Sequence, residues 1–347
     1  MNHAPALGRA ILLKGLAVLS SLALFWLLAE FMLIGRKFAP EYKMPDRSIL
    51  QLDEDVLFRF KPRSRFDYND MGYRDGKFYA DKGRAKRILF MGDSFVTGLL
   101  MRSDQTMPET LERQLGPPWQ VYNMGIVGDG PDQTWRRLLG DGLQFDPDMV
   151  ILGLFPANDF GDLQKNRLVG LDEAGELFLR RDNIVRISLA RSRLWMLLRK
   201  TFSGSYTSKQ TETYLFRALM HDAFLILDNM ADAEREYLVA LMRAVLGEIK
   251  GTLEARSVDF KVVIIPPMQF YAEDRRSVPE KHEPRVAVSN DAKVIEICRE
   301  LGIDWLYLRD TFPEEGAEAF YDPWDTHFTA EGARVAAEHI REHLLGM

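Results

Sequence analysis

Cysteine is nearly absent from this chain: Cys298 is the only one in 347 residues. A single thiol, in a predicted helix, excludes an intramolecular disulfide framework and a cysteine metal site. A basic excess is also missing, since 45 lysines and arginines stand against 51 aspartates and glutamates, a net charge of −6. Nothing in that balance argues for nucleic acid, and no such partner is expected. Internal repeats and low-complexity tracts are lacking too. What remains is an ordinary folded composition, 46% hydrophobic and 28% charged, long enough for one large domain or two small ones.

Long apolar runs are scarce, with one exception at the N-terminus. Gly15 to Gly35 reads GLAVLSSLALFWLLAEFMLIG, about the length that crosses a bilayer core as a helix. Glu30 is its one ionisable residue, close enough to the end to reach the interface. Without a polar face, a buried core helix is disfavoured. Ser21-Leu22-Ala23 has the small-x-small form of a signal-peptide cleavage site, yet the apolar run continues well past it. The expectation is an N-terminal tail and transmembrane anchor over 1–37. Arg9 and Lys14 precede the run while Arg36, Lys37, Lys43 and Arg47 follow it, so flanking charge leaves sidedness open. Residues 38–85 read as a connector, with a short strand at Val56–Phe60 and turn chemistry throughout Asn69–Gly76.

From residue 86 onward strands alternate with helices. Arg87–Met91, Trp119–Asn123, Met149–Phe155, Phe260–Ile265 and Asp304–Leu308 have strand character, and Met149–Phe155 is a continuous apolar run suited to a central parallel strand. Helices are predicted around Glu109–Leu115, Gln133–Leu143, Asp232–Leu253 and Asp291–Leu301. In the third, Leu238, Leu241, Met242, Val245, Ile249 and Leu253 recur at helical spacing as a core stripe. The fold class is therefore α/β, a doubly wound parallel sheet of five strands over 86–347.

The rhythm breaks between 160 and 232, which reads as an insertion. Leu177–Arg180 and Ile184–Ile187 flank Arg181-Asp182-Asn183 and suggest a hairpin. The basic amphipathic stretch Leu189–Lys200 reads as a surface helix, or more sharply as a lid or membrane-facing helix.

Ligands of such sheets bind where the strands end at their carboxyl edge, and four candidate segments follow strands there. Gly92-Asp93-Ser94 follows the first, where a tight turn would expose the Ser94 hydroxyl and a following helix would aim its first N–H groups at that oxygen's partners. Asn123–Gly130 follows the second, Pro156-Ala157-Asn158-Asp159 the third, and Tyr321–Thr329 the fifth. The chemistry fits acyl transfer, because a serine hydroxyl becomes a useful nucleophile only when a base takes its proton. Of six histidines, only His327 lies in a turn beside an acid at a strand end. Asp325, two residues earlier, could hold its tautomer, and Asp322 is the reserve. Asp325-Thr326-His327 also reads as simple helix capping by Thr329. The Gly128 N–H, the Asn158 amide and the Ser94 N–H are suitable oxyanion donors. No second histidine near the other strand ends supports a metal, so neither a metallophosphoesterase nor any cofactor is implied.

Together the four segments resemble the SGNH, or GDSL, hydrolase superfamily, from about Asn69 to the C-terminus without the 160–232 insertion. The resemblance implies a flavodoxin-like five-stranded sheet and the activity of an esterase, lipase, thioesterase or carbohydrate O-acyl hydrolase or transferase. It implies Ser94 as nucleophile, Gly128 and Asn158 in the oxyanion hole and His327 as base. Two departures stand out: Pro156 occupies a position usually held by glycine, and acid and base are spaced Asp-x-His rather than Asp-x-x-His. The shorter spacing is similar to the branch acting on O-acetyl groups of exported polysaccharides. The resulting expectation is a membrane-anchored serine hydrolase or O-acyltransferase with an extracytoplasmic domain and a carbohydrate-linked acyl ester as substrate. The alternative is a non-catalytic binding or scaffold subunit of an envelope complex.

Overall fold

A computed structural model of the chain describes residues 4–33, 50–63, 67–180, 225–271, 288–313 and 315–347. Its principal elements, in chain order, are α1 (Ala4–Leu33), β1 (Leu50–Asp53), β2 (Leu57–Phe60), β3 (Lys86–Gly92), α2 (Ser94–Thr97), α3 (Met107–Leu115), β4 (Trp119–Gly125), α4 (Pro131–Arg137), β5 (Met149–Leu154), α5 (Pro156–Asn166), β6 (Val169–Leu171), β7 (Leu177–Leu179), α6 (Asp232–Glu254), β8 (Asp259–Ile264), α7 (Val288–Leu301), β9 (Asp304–Tyr307) and α8 (Ala330–His339).

The five predicted strands form one sheet in the order β4-β3-β5-β8-β9, parallel at every pairing. The order steps outward in both directions from β3, so a switch point lies between β3 and β5. There the connections after β3 and β5 diverge and leave a crevice at the strand ends. The strands are continuous apolar runs because both faces are covered: Ile88, Phe90, Ile151, Val262 and Val263 are fully buried. All six residues of the stripe on α6 are buried as well. Cys298 is buried on α7, as the helix reading required.

Among the described residues of 50–85, the early hairpin is packed. β1 and β2 pair antiparallel, and Val56, Leu57 and Phe58 are at most 2% exposed. The Gln133 side-chain amide donates to the Val56 carbonyl at 2.8 Å and Arg137 Nη2 to the Phe58 carbonyl at 2.8 Å. This early hairpin is thereby tied to the helix that follows the second strand end.

Two features of the 160–232 segment lie within the described residues. The hairpin in the 160–232 segment pairs β7 with β6, upstream of it, through the Asp172–Glu176 turn. Asp172 Oδ1 accepts from Ala174 N and Glu176 N at 2.9 Å, and Gly175 supplies the left-handed residue at φ 81°. Ile184–Ile187 and the basic stretch Leu189–Lys200 lie outside the described residues. Secondly, α5 runs to Asn166 with Phe160 and Leu163 buried, so the helix that carries Asn158 continues past residue 160.

At the N-terminus α1 forms as expected, 30 residues long. Among the described residues, however, no helix is both long and apolar enough to cross a membrane, so the expected transmembrane anchor is not supported. Leu19, Phe25, Leu27 and Phe31 are each at least 64% exposed. The described residues of α1 belong to a different compact unit from those of the sheet.

Candidate active site

Gly92 ends β3, and its backbone could not belong to another residue. Its φ is 149°, and a Cβ there would lie 2.6 Å from the Gly153 carbonyl oxygen and 2.7 Å from Val96 Cγ2. The chain thus turns sharply between β3 and its neighbour β5, and Ser94 follows directly. The predicted helix after Ser94 is a single turn, Ser94–Thr97, closed by Gly98 in the left-handed conformation. Its first free N–H is already used: Asp93 Oδ1 accepts from Phe95 N at 2.9 Å. A helix dipole therefore contributes little here, contrary to the sequence expectation. Arg74 locks the exit of this turn, donating to the carbonyl of Gly98 and, at 2.5 Å, to that of Met101.

Ser94 is 1% exposed, more buried than an exposed turn hydroxyl would be. The reason is His327, whose Nε2 lies 2.7 Å from Ser94 Oγ and so covers it. On the far side of the ring, His327 Nδ1 is hydrogen-bonded to Asp325 Oδ1. The imidazole is also held by Phe95, with ring centroids 4.9 Å apart at 35°. Phe95 in turn packs on Phe155 and Phe328.

The turn presenting these two residues explains the short spacing. Asp322 Oδ1 accepts from both Trp324 N and Asp325 N at 2.9 Å, Asp322 N donates to the His327 carbonyl at 2.7 Å, and Thr326 N to the Asp322 carbonyl at 2.8 Å. Asp322 therefore organises the turn, while Asp325 is the acid at the imidazole. Thr326 stands between them at φ 69°, a left-handed conformation that costs a β-branched residue about 1–2 kcal/mol. That reversal brings residues two apart to the same side. Thr329 caps α8 through Gly332 N at 3.1 Å, so helix capping and the His327 contact coexist.

The other two strand ends are equally built. Asn158 is in the first turn of α5, with Pro156 at a first-turn position where a missing N–H costs nothing. This accounts for proline in place of glycine. Asn158 is 1% exposed, and its Nδ2 donates to Asp93 Oδ2 at 3.3 Å. The amide carries two N–H groups, of which this bond uses one. After β4, Gly128 takes φ 77°, and the next residue, Asp129, forms a buried ion pair with Arg137, the two side chains 1% and 2% exposed. The pair fixes the Gly128 turn to α4 and, through the Phe58 carbonyl, to β2.

The structure thus brings Ser94, Asp325 and His327 into one hydrogen-bonded chain, with Asn158 joined to it through Asp93. The sequence reading missed Asp93 as the link between serine turn and Asn158, Phe95 as the support of the imidazole, and the Asp129–Arg137 pair. A carboxylate two positions ahead of an N–H in a tight turn was the available signal for Asp93. Chemically, a hydroxyl bonded to an imidazole whose other nitrogen meets a carboxylate can lose its proton to that ring. Among the described residues no group of three or more metal-ligating side chains converges.

Comparison with known proteins adds a likeness. Residues 224–346 match the family described as SGNH hydrolase-like domain, acetyltransferase AlgX. That segment contains Asp325 and His327 and leaves out Ser94, Gly128 and Asn158. Among curated proteins none matches the chain. Solved structures similar to it include TesA (13% identity, TM-score 0.42, covering 75% of this chain and 98% of that one). The lipase/acylhydrolase from Enterococcus faecalis is similar at 14% identity and TM-score 0.42, over 75% and 96%. The acetyl xylan esterase AlAXEase is similar at 12% and 0.40, over 74% and 98%. At such scores these likenesses carry no argument about function. Residues 224–346, about a third of the chain, are thus similar to an SGNH hydrolase-like domain.

Proposed function

We propose that Ser94 is the nucleophile, His327 the general base and Asp325 the acid that orients it, with the Gly128 N–H and the Asn158 amide as oxyanion donors. The observation that carries this reading is the continuous chain from Ser94 Oγ through His327 Nε2, at 2.7 Å, to His327 Nδ1 and Asp325 Oδ1. As Oγ attacks an ester carbonyl, its proton passes to Nε2 and the carbonyl oxygen becomes an oxyanion. Collapse expels the alkoxide, which takes the proton back from Nε2, leaving an acyl-serine. Water or an acceptor hydroxyl then repeats the sequence in reverse, giving hydrolysis or transfer. Asp325 favours the tautomer in which Nε2 is free to accept.

The substrate we infer is an O-acyl ester, an O-acetyl group on cell-envelope carbohydrate. The Asp-x-His spacing and the acetyltransferase family matched by residues 224–346 support that choice. We further propose that α1 anchors the chain as a single membrane pass with the catalytic domain outside the cytoplasm. The apolar run from Gly15 to Gly35 and the exposed apolar side chains of α1 support it. A reporter active only in the cytoplasm, fused after Arg47, should stay silent.

Labelling with a serine-reactive fluorophosphonate tests the catalytic reading directly. The wild-type chain should label and Ser94→Ala should not. Labelling that survives this substitution would assign the reactive serine elsewhere.

A further inference from the structure

Trp324 is 80% exposed, the highest value among the exposed large hydrophobic side chains described. Trp26, Trp119, Trp135 and Trp305 are all partly covered. Single exposed apolar residues are common, but an indole has the largest apolar area of any side chain and is strongly buried on average. This one is presented by a built turn rather than a slack loop. Pro323 fixes the backbone ahead of it, and Trp324 N donates to Asp322 Oδ1 at 2.9 Å. The same turn is closed by the Asp322–His327 and Thr326–Asp322 backbone bonds and by the Tyr321–Phe328 bridge. Beneath it, the Tyr321 hydroxyl donates to the Pro266 carbonyl at 2.7 Å. Trp324 therefore stands on a rigid base, one residue from Asp325 and three from His327.

The chemistry around the indole selects its ligand. Carboxylates flank it on both sides, Asp322 and Asp325, with no basic residue between Asp310 and Arg334 apart from His327. An anionic lipid surface or an acidic glycan would meet like charge there. An uncharged pyranose fits: its flat C–H face matches the negative face of an aromatic ring, and its hydroxyls donate to carboxylates. We infer that Trp324 is a stacking platform for an uncharged sugar ring that carries the acyl ester, holding that ring at the mouth of the Ser94–His327 site. This rests on the proposed catalytic reading and names the substrate class of that site.

The test uses the full chain and two substrates, 4-nitrophenyl acetate and an O-acetylated xylo-oligosaccharide. In Trp324→Ala the kcat/KM ratio of oligosaccharide to small ester should fall about tenfold, with the loss in KM for the oligosaccharide rather than in kcat. Trp324→Phe, which keeps a ring, should hold the ratio within about threefold of wild type. An unchanged ratio in Trp324→Ala, or equal loss on both substrates, would overturn the inference. So would weaker partitioning of Trp324→Ala onto phosphatidylcholine vesicles with the ratio unmoved, since Trp324 would then be a lipid contact. Wild-type turnover of the small ester without the oligosaccharide removes the sugar platform and leaves the catalytic reading standing. Turnover of neither substrate removes the catalytic reading itself.

Discussion

Ser94 and His327 meet in one hydrogen bond but are delivered by different kinds of structure. Ser94 follows a central strand, is 1% exposed, and is locked by the close approach of Gly92 to Gly153 and by Arg74. His327 and Asp325 sit on a surface turn with side chains 12% and 40% exposed. Their geometry comes from a handful of local bonds to Asp322 and one residue in a left-handed conformation. The serine half is thus specified by the whole sheet, and the histidine half chiefly by the turn at 322–327, with Phe95 against the ring. On the first half a substitution disturbs folding and chemistry together; on the second the two can be separated.

Asp325→Asn is expected to break the comparison hardest. If Asp325 fixes the imidazole tautomer, turnover of an acyl ester should drop by roughly 10²–10⁴, with KM and melting temperature close to wild type. Asp322→Asn keeps an oxygen that can accept the two turn N–H groups, and should lose far less. The reverse ranking would make Asp322 the orienting acid. Next in size is Asn158→Ala on the serine half, expected to cost about 10²–10³ in kcat as a lost oxyanion donor. Because it also removes the bond to Asp93, a drop in stability should accompany it, measurable by denaturant titration. A loss in KM alone would remove Asn158 from the oxyanion role.

How far the sequence reveals each half follows from the same contrast. The five strands are legible because parallel strands covered on both faces read as unbroken apolar runs, and Met149–Leu154 is the clearest. The strand ends are legible because Gly92, Gly128 and Asn158 interrupt those runs with residues that turns require. The buried ions are not legible: Arg87 and Arg137 have 0% and 1% exposure, and no local pattern tells a buried arginine from a surface one. Their partners come from residues as remote as Phe145 and Phe58. The β6–β7 pairing is not legible, because Leu177–Leu179 has apolar neighbours on both sides in sequence. Only the Asx turn at Asp172 selects the upstream partner.

The smallest effect should come from Thr326→Gly. Glycine removes the strain of a β-branched residue at φ 69° but adds backbone freedom to the unfolded chain, so a net stabilisation of up to about 1 kcal/mol is expected. Turnover should change by less than about threefold, since the Asp322 bonds still hold the turn. A large activity loss with unchanged stability would mean that the threonine side chain itself takes part in positioning His327.

The central claim is that Ser94 and His327 act as one proton-transferring unit, and the kinetics of their combined substitution test it most directly. Ester turnover should be measured in Ser94→Ala, in His327→Ala and in the double variant, each confirmed as folded. Each single change should remove nearly all activity above background, and the double should lose little more than either alone, because a unit already broken has nothing further to lose. Losses that multiply in the double variant would show two independent contributions and contradict a shared proton transfer between Oγ and Nε2.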